Sequence, residues 1–163
     1  MTRSALRFVT REALNLLTGR RTMVDAWPDE PVLRAPHVDL TSWAEAVVVF
    51  PATFSYTARL ALGLADSPSL LTAQCTAAPV GVAPALPPGG VESHAYRTHT
   101  AALAVRPNYV VAPPEPALSL TTGRMDSWAP ADLTGLLHSV ADLHRTLARP
   151  GDVGTTTGQG TGG

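Results

Sequence analysis

The stretch Ala46 to Phe50 reads Ala-Val-Val-Val-Phe, an unbroken apolar run of strand length. Such a run predicts a parallel strand covered on both faces, because a strand with one wet face would alternate. Two further runs have the same character: Pro79 to Ala85, "PVGVAPA", and Asn108 to Pro114, "NYVVAPP". Each strand runs into proline at its carboxyl end. Between and around them the apolar positions fall at helical spacing, briefly over Leu40 to Ala44, then over Tyr56 to Ala65, Leu70 to Thr76, His94 to Ala104 and Pro130 to Ala148. Near the amino end Leu6, Val9, Ala13, Leu14 and Leu17 mark one face of another helix, with Gly19 where a helix stop belongs. Strands alternating with helices predict an open α/β sheet whose parallel strands are joined by crossover helices on both faces.

Ligands of open α/β sheets bind outside the carboxyl ends of the strands. Here those ends are the loops "PATFSY", "PALPPGG" and "PPEPALSLTTGRM", where proline, glycine, hydroxyl groups and Arg124 concentrate. The topology therefore predicts a pocket at that edge. Its chemistry has to come from elsewhere.

At 163 residues with 45% hydrophobic content the chain is long enough for one domain with a single core. Residues 1–149 are assigned to it, and the Gly/Thr-rich stretch 150–163 has so little to bury that it is expected to be a disordered tail. A net charge of -1 gives no footprint for gripping nucleic acid or an anionic membrane, so neither is an expected partner. The lone Cys75 forms no internal disulfide, which makes the cytoplasm the expected compartment. The arginine-rich start, Arg3, Arg7, Arg11, Arg20 and Arg21, imitates an organelle-targeting peptide but fits a domain helix better.

Five histidines invite metal readings. His94 and His99 are five residues apart and His138 and His144 six apart, so neither pair stacks at the three- or four-residue spacing of a helical metal site, and no metal is assigned. His37 differs, standing just ahead of a short helix with Asp39, Thr41 and Ser42 after it as capping groups. A loop histidine satisfied by backbone is nevertheless commoner than a catalytic one. No nucleophile elbow, phosphate loop or complete dinucleotide fingerprint is present, and Cys75 reads as a small buried hydrophobe before a core strand.

In order and spacing, "HVDLTSWAEAVVVFPAT", "LALGLAD", "APVGVAPAL" and "TTGRMDSWAP" resemble the homo-oligomeric flavin-containing cysteine decarboxylases. These include phosphopantothenoylcysteine decarboxylase and the peptidyl-cysteine decarboxylases of lanthipeptide biosynthesis. The resemblance covers roughly residues 2–130. It implies a Rossmann-like, flavodoxin-type three-layer α/β/α fold and FMN as cofactor. By the same token His37 is the active-site residue. The family's "P-A-S-A-N-T" loop falls on Pro51, Ala52, Thr53, Phe54, Ser55 and Tyr56, placing flavin against Pro51 to Phe54 and making Ser55 the counterpart of a catalytic asparagine. Asp66, Ser67 and Pro84 fall on further flavin-binding elements, and Thr2 and Ser4 would face the flavin phosphate. Gly123, Arg124 and Met125 match the segment that clamps substrate.

The reaction so implied is an oxidative decarboxylation of a carboxyl-terminal cysteine: a hydride leaves the cysteine β-carbon for the flavin, the resulting thioaldehyde draws electrons as carbon dioxide departs, and an ene-thiol remains. Coenzyme A pathway members then reduce the ene-thiol with a clamp cysteine. "LSLTTGRM" has none, which favours a ribosomally made precursor peptide as partner. The resemblance also implies a homo-trimer or a dodecamer of trimers, with sites at subunit interfaces. Three departures stand out: Ser55 and Tyr56 replace Asn-Thr, Pro87 replaces an asparagine, and relatives carry a central strand and phosphate loop ahead of the point matching Met1. These departures keep a second reading open, in which the chain is a non-catalytic or half-site subunit assembled with a more complete paralogue.

Overall fold

The computed structural model describes residues 1–148. A 3₁₀ turn, Ser4–Arg7, leads into α1 (Arg11–Thr18), and a long connection reaches α2 (Pro36–Trp43). The chain then runs β1 (Val47–Thr53), α3 (Phe54–Ala61), α4 (Pro68–Cys75), β2 (Val80–Ala85), α5 (His94–Ala104) and β3 (Tyr109–Val111). A hairpin, β4 (Glu115–Ala117) and β5 (Ser127–Ala129), precedes the long α6 (Leu133–Ala148). The expected stretch 150–163 lies outside the described residues.

The three predicted strands form one parallel sheet in the order β1-β2-β3. It is flanked by helices and open, as the strand and helix pattern predicted, and has the flavodoxin-like architecture that the family resemblance implied. β2 is central and buried from Val80 to Pro84. On one face Leu60 of α3, Leu70 and Ala73 of α4 and Leu103 of α5 pack with Val80, Val82 and Tyr109. On the other, Leu136 and Val140 of α6 close over Ala83. Each fully buried leucine contributes about 1.5–3 kcal/mol relative to an exposed one. Gly81 lets α6 approach: a Cβ there would stand 2.5 Å from Val140 Cγ2 and 3.1 Å from Leu136 Cδ1.

Three expectations are corrected. β1 does not have both faces covered: α6 packs mainly over β2 and β3, and Val48 and Phe50 are 36% and 40% exposed. An apolar run reports what a strand's faces require, whereas position in the sheet decides what they receive. The second concerns α2, which starts at Pro36 rather than Leu40. Proline is pre-shaped for a first helical turn, so His37 lies inside the helix and not ahead of it. The third is Cys75, expected as a small buried hydrophobe but exposed at the last position of α4, whose buried face is made by Pro68, Leu70, Thr72 and Ala73.

The hairpin was not foreseen. Its strands are three residues each, and it is anchored to the end of β2 by paired bonds between Leu86 and Trp128, 2.9 and 3.0 Å.

Candidate active site

Parallel register brings the ends of β1 and β2 side by side, with Ala52 opposite Pro84 and Thr53 opposite Ala85. An extra residue in β1 between Val49 and Ala52 makes a bulge there, the kind of irregularity that re-aims side chains at a strand end. The Phe50–Pro51 peptide is cis. Ala52 and Pro84 are buried and form a floor, while Pro51 and Thr53 face outward. Thr53 also starts α3, its Oγ1 accepting from Tyr56 N–H at 3.2 Å. Four of the predicted cofactor residues, Pro51, Ala52, Thr53 and Pro84, therefore share one edge, and Phe54 follows half-buried at the first position of α3. Ser55 is exposed in the first turn of α3, where a ligand could reach its hydroxyl.

Ser67, Ser69 and Asp25 form a second cluster. Ser67 caps α4 with Pro68 at the first helical position. Its hydroxyl donates to Asp25 Oδ2 at 2.8 Å, and Ser69 donates to the same carboxylate twice, from N–H to Oδ1 at 2.8 Å and from Oγ to Oδ2 at 2.7 Å. The single Ser69 hydroxyl proton is thus spent on Asp25. The Tyr56 hydroxyl, 2.8 Å away, must donate to Ser69 Oγ. Burial pushes the Tyr56 phenol up, and the Asp25 charge adds to this against the opposing Ser69 bond, so the proton stays in place at neutral pH. Asp25 N–H in turn donates to Met1 O at 2.7 Å, which brings the segment carrying Thr2 and Ser4 alongside. Thr2 Oγ1 accepts from Ala5 N–H at 3.3 Å and, like Ser4, is exposed.

His37 lies on α2, which packs against α4. Its ring meets the edge of Trp27 with centroids 5.6 Å apart, and its Nδ1 is buried without a hydrogen-bond partner among the described residues. The expected caps act differently. Thr41 and Ser42 donate to the carbonyls of His37 and Val38, and Asp39 pairs with Arg34 at 2.6 Å.

Four other predicted residues have unexpected surroundings. Asp66 is 58% exposed and held by Arg59 at 2.5 Å. Gly123, Arg124 and Met125 are exposed at the turn of the β4–β5 hairpin, where Gly123 takes φ +67° and Ser119 N–H donates to Arg124 O at 2.8 Å. The hairpin's attachment at Leu86 sets it next to the strand-end floor. Elsewhere among the described residues, open grooves of about 330 Å³ between α5 and β3 and about 380 Å³ between α6 and the start of β1 occur. Neither contains a predicted site residue.

A family model described as Flavoprotein matches residues 1–133. The chain belongs to the Flavoprotein family. Among curated proteins it is 37% identical over 113 residues to the cypemycin cysteine dehydrogenase (decarboxylating) of a Streptomyces species, covering 69% of this chain and 58% of that protein. It is 44% identical over 88 residues to the coenzyme A biosynthesis bifunctional protein CoaBC of Mycobacterium bovis, covering 52% of this chain and 20% of that one. The chain thus spans less than two thirds of these relatives. Among solved Flavoprotein-like structures, the cypemycin decarboxylase CypD superposes with TM-score 0.70 at 29% identity, over 91% of this chain and 76% of that one. The FMN-dependent cysteine decarboxylase SpaF superposes with TM-score 0.71 over 91% and 78%, a likeness of fold at 22% identity.

Asp25, Ser69 and Trp27 escaped the sequence reading. "Ser-Pro-Ser" at 67–69 does carry a helix-start signal, serine cap followed by proline. Nothing in the sequence ties it to an aspartate 42 residues earlier.

Proposed function

We propose that this member of the Flavoprotein family binds FMN at the ends of β1 and β2 and catalyses oxidative decarboxylation of a carboxyl-terminal cysteine in a precursor peptide, yielding an ene-thiol. One observation carries the substrate class: the 37% identity to the cypemycin cysteine dehydrogenase. FMN rests on family membership and on the FMN-dependent neighbours. The CoaBC likeness covers a shorter stretch, and residues 118–125, at the hairpin turn, contain no cysteine with which to reduce an ene-thiol.

The residues present fit a flavin. The buried Ala52 and Pro84 offer an apolar floor, and Nδ1 of His37 is a buried polar atom with its hydrogen-bonding capacity unspent. FMN would be held by Pro51, Ala52, Thr53, Phe54 and Pro84, with Thr2 and Ser4 toward its phosphate and Asp66 and Ser67 at the rim. When bound it supplies a two-electron acceptor. His37 orients the cysteine and exchanges its proton, a task suited to an imidazole. Ser55 supplies one hydroxyl to the substrate carboxylate where relatives use a carboxamide. Arg124, with Gly123 and Met125, closes over the peptide.

A homo-trimer or dodecamer of trimers is the proposed assembly, since the first 51 residues contain no fully buried side chain and expose Phe8, Leu16, Leu17 and Trp43. The same observation, with Ser55 in place of asparagine, favours a second reading: a half-site subunit completed by a paralogue. A cytoplasmic setting is proposed. Among the described residues no helix is long and apolar enough to cross a membrane.

The test is anaerobic mixing of FMN-loaded protein with a cysteine-ended peptide. The proposal expects bleaching of the flavin absorption with loss of carbon dioxide and two hydrogens from the peptide, none of it with His37→Asn or a serine-ended peptide. Colourless protein that turns over only beside a paralogue would support the half-site reading instead.

A further inference from the structure

Residues 1–51 carry no fully buried side chain, so the strap that bears Thr2 and Ser4 is not held by the apolar core. Among the described residues, every hydrogen bond between residues 1–34 and the chain from Ala44 onward ends on one side chain, Asp25. Its two carboxylate oxygens receive three donors from Ser67 and Ser69 at the start of α4. On its other side Asp25 N–H holds Met1 O, and Met23 O accepts from Met1 N, both at 2.7 Å. Through Ser69 the carboxylate also reaches Tyr56, whose N–H is capped by Thr53. One carboxylate thus joins three sets of proposed flavin contacts: Thr2 and Ser4, Ser67, and the β1–α3 corner at Thr53.

We propose that Asp25 is a positioning residue for the cofactor site, a clasp that seats the amino-terminal strap on α4. The clasp is a statement about this chain's own contacts; its effect on cofactor affinity rests on the FMN reading. Bonds to a charged acceptor are the stronger kind, and they matter here because the strap adds no residue to the buried core and otherwise meets α2 through ring contacts, Trp27 on His37 and Arg20 on Trp43, and the Arg34–Asp39 pair, among the described residues. Asparagine at position 25 retains an acceptor for Ser69 N–H but loses the charge, and so gives an intermediate effect.

Two readouts on the full chain test this. In the absence of flavin, tryptic cleavage after the strap arginines Arg3, Arg7 and Arg11 follows the open population, and Asp25→Ala raises its rate about tenfold or more. In flavin titrations followed by fluorescence quenching, the same variant weakens FMN binding about tenfold, while the main melting transition, set by the core of β1–β3 and α3–α6, stays in place. Asp25→Asn falls between, and Ser69→Ala gives a second route to the same loosening should Asp25→Ala fold poorly. Cleavage at the parent rate in both Asp25→Asn and Ser69→Ala overturns the clasp. Faster cleavage with undiminished FMN affinity overturns the positioning role. A parent protein that takes up no FMN while its variants are cleaved faster sinks the flavin reading and leaves the clasp standing.

Discussion

Gly81 is the point at which α6 meets the central strand, and adding one methyl there is a measurable perturbation. A Cβ would stand 2.5 Å from Val140 Cγ2, roughly 1 Å inside ordinary contact. Val140 is 4% exposed and β-branched, so it has little rotamer freedom with which to retreat. Overpacking of this kind costs about 1–3 kcal/mol, offset by about 0.4–1 kcal/mol from the stiffer unfolded chain. Gly81→Ala is therefore expected to lose about 0.5–2.5 kcal/mol in urea denaturation, lowering Tm by a few degrees. Val140→Ala on its own leaves a cavity and also destabilises. In the double variant the new methyl enters the space the valine vacates, and the two losses should couple favourably by about 1 kcal/mol or more. Strictly additive losses would refute the claim that α6 is seated by the bare backbone of β2.

Three further outcomes are expected. Burial raises the phenols of Tyr56 and Tyr109, so above about pH 10 the unfolded chain releases protons that the folded one retains and stability falls as pH rises; Tyr56→Phe and Tyr109→Phe should each shift the alkaline limb of a stability-versus-pH curve upward. Arg106 donates to the Leu60 and Ala61 carbonyls, to Gln74 and to the Tyr109 hydroxyl, so Arg106→Met should lower the urea-derived stability by about 1.5–3 kcal/mol without changing flavin stoichiometry. Ser55→Asn restores a donor and acceptor at the proposed carboxylate contact, and peptide turnover should rise, with KM falling, in steady-state assays.

The sequence was most legible where local and tertiary demands agreed. α5 was expected over His94 to Ala104 and occupies those residues, because Ser93 caps it and its apolar positions suit one buried face. The end of β2 at Ala85 was legible too, whereas β1 runs through Pro51 to Thr53, three residues past the expected end at Phe50. Legibility failed where the deciding contact was distant in sequence. Leu86 recruited the short β5 through Trp128, and Asp25 crossed to Ser67 and Ser69, whereas the early start of α2 at Pro36 is a local signal that the helical spacing alone did not show. The both-faces-covered reading of β1 failed differently: the apolar pattern was read correctly, but it does not encode the strand's neighbours.

The proposed chemistry depends on where the flavin sits, and a crystal structure of the FMN-loaded protein would show this. The isoalloxazine is expected against Pro51 to Thr53 and Pro84, with His37 of the same or a neighbouring protomer within reach of its edge. Flavin found instead in the groove lined by Tyr96, Thr100 and Val111, with every His37 remote from it, would contradict the account.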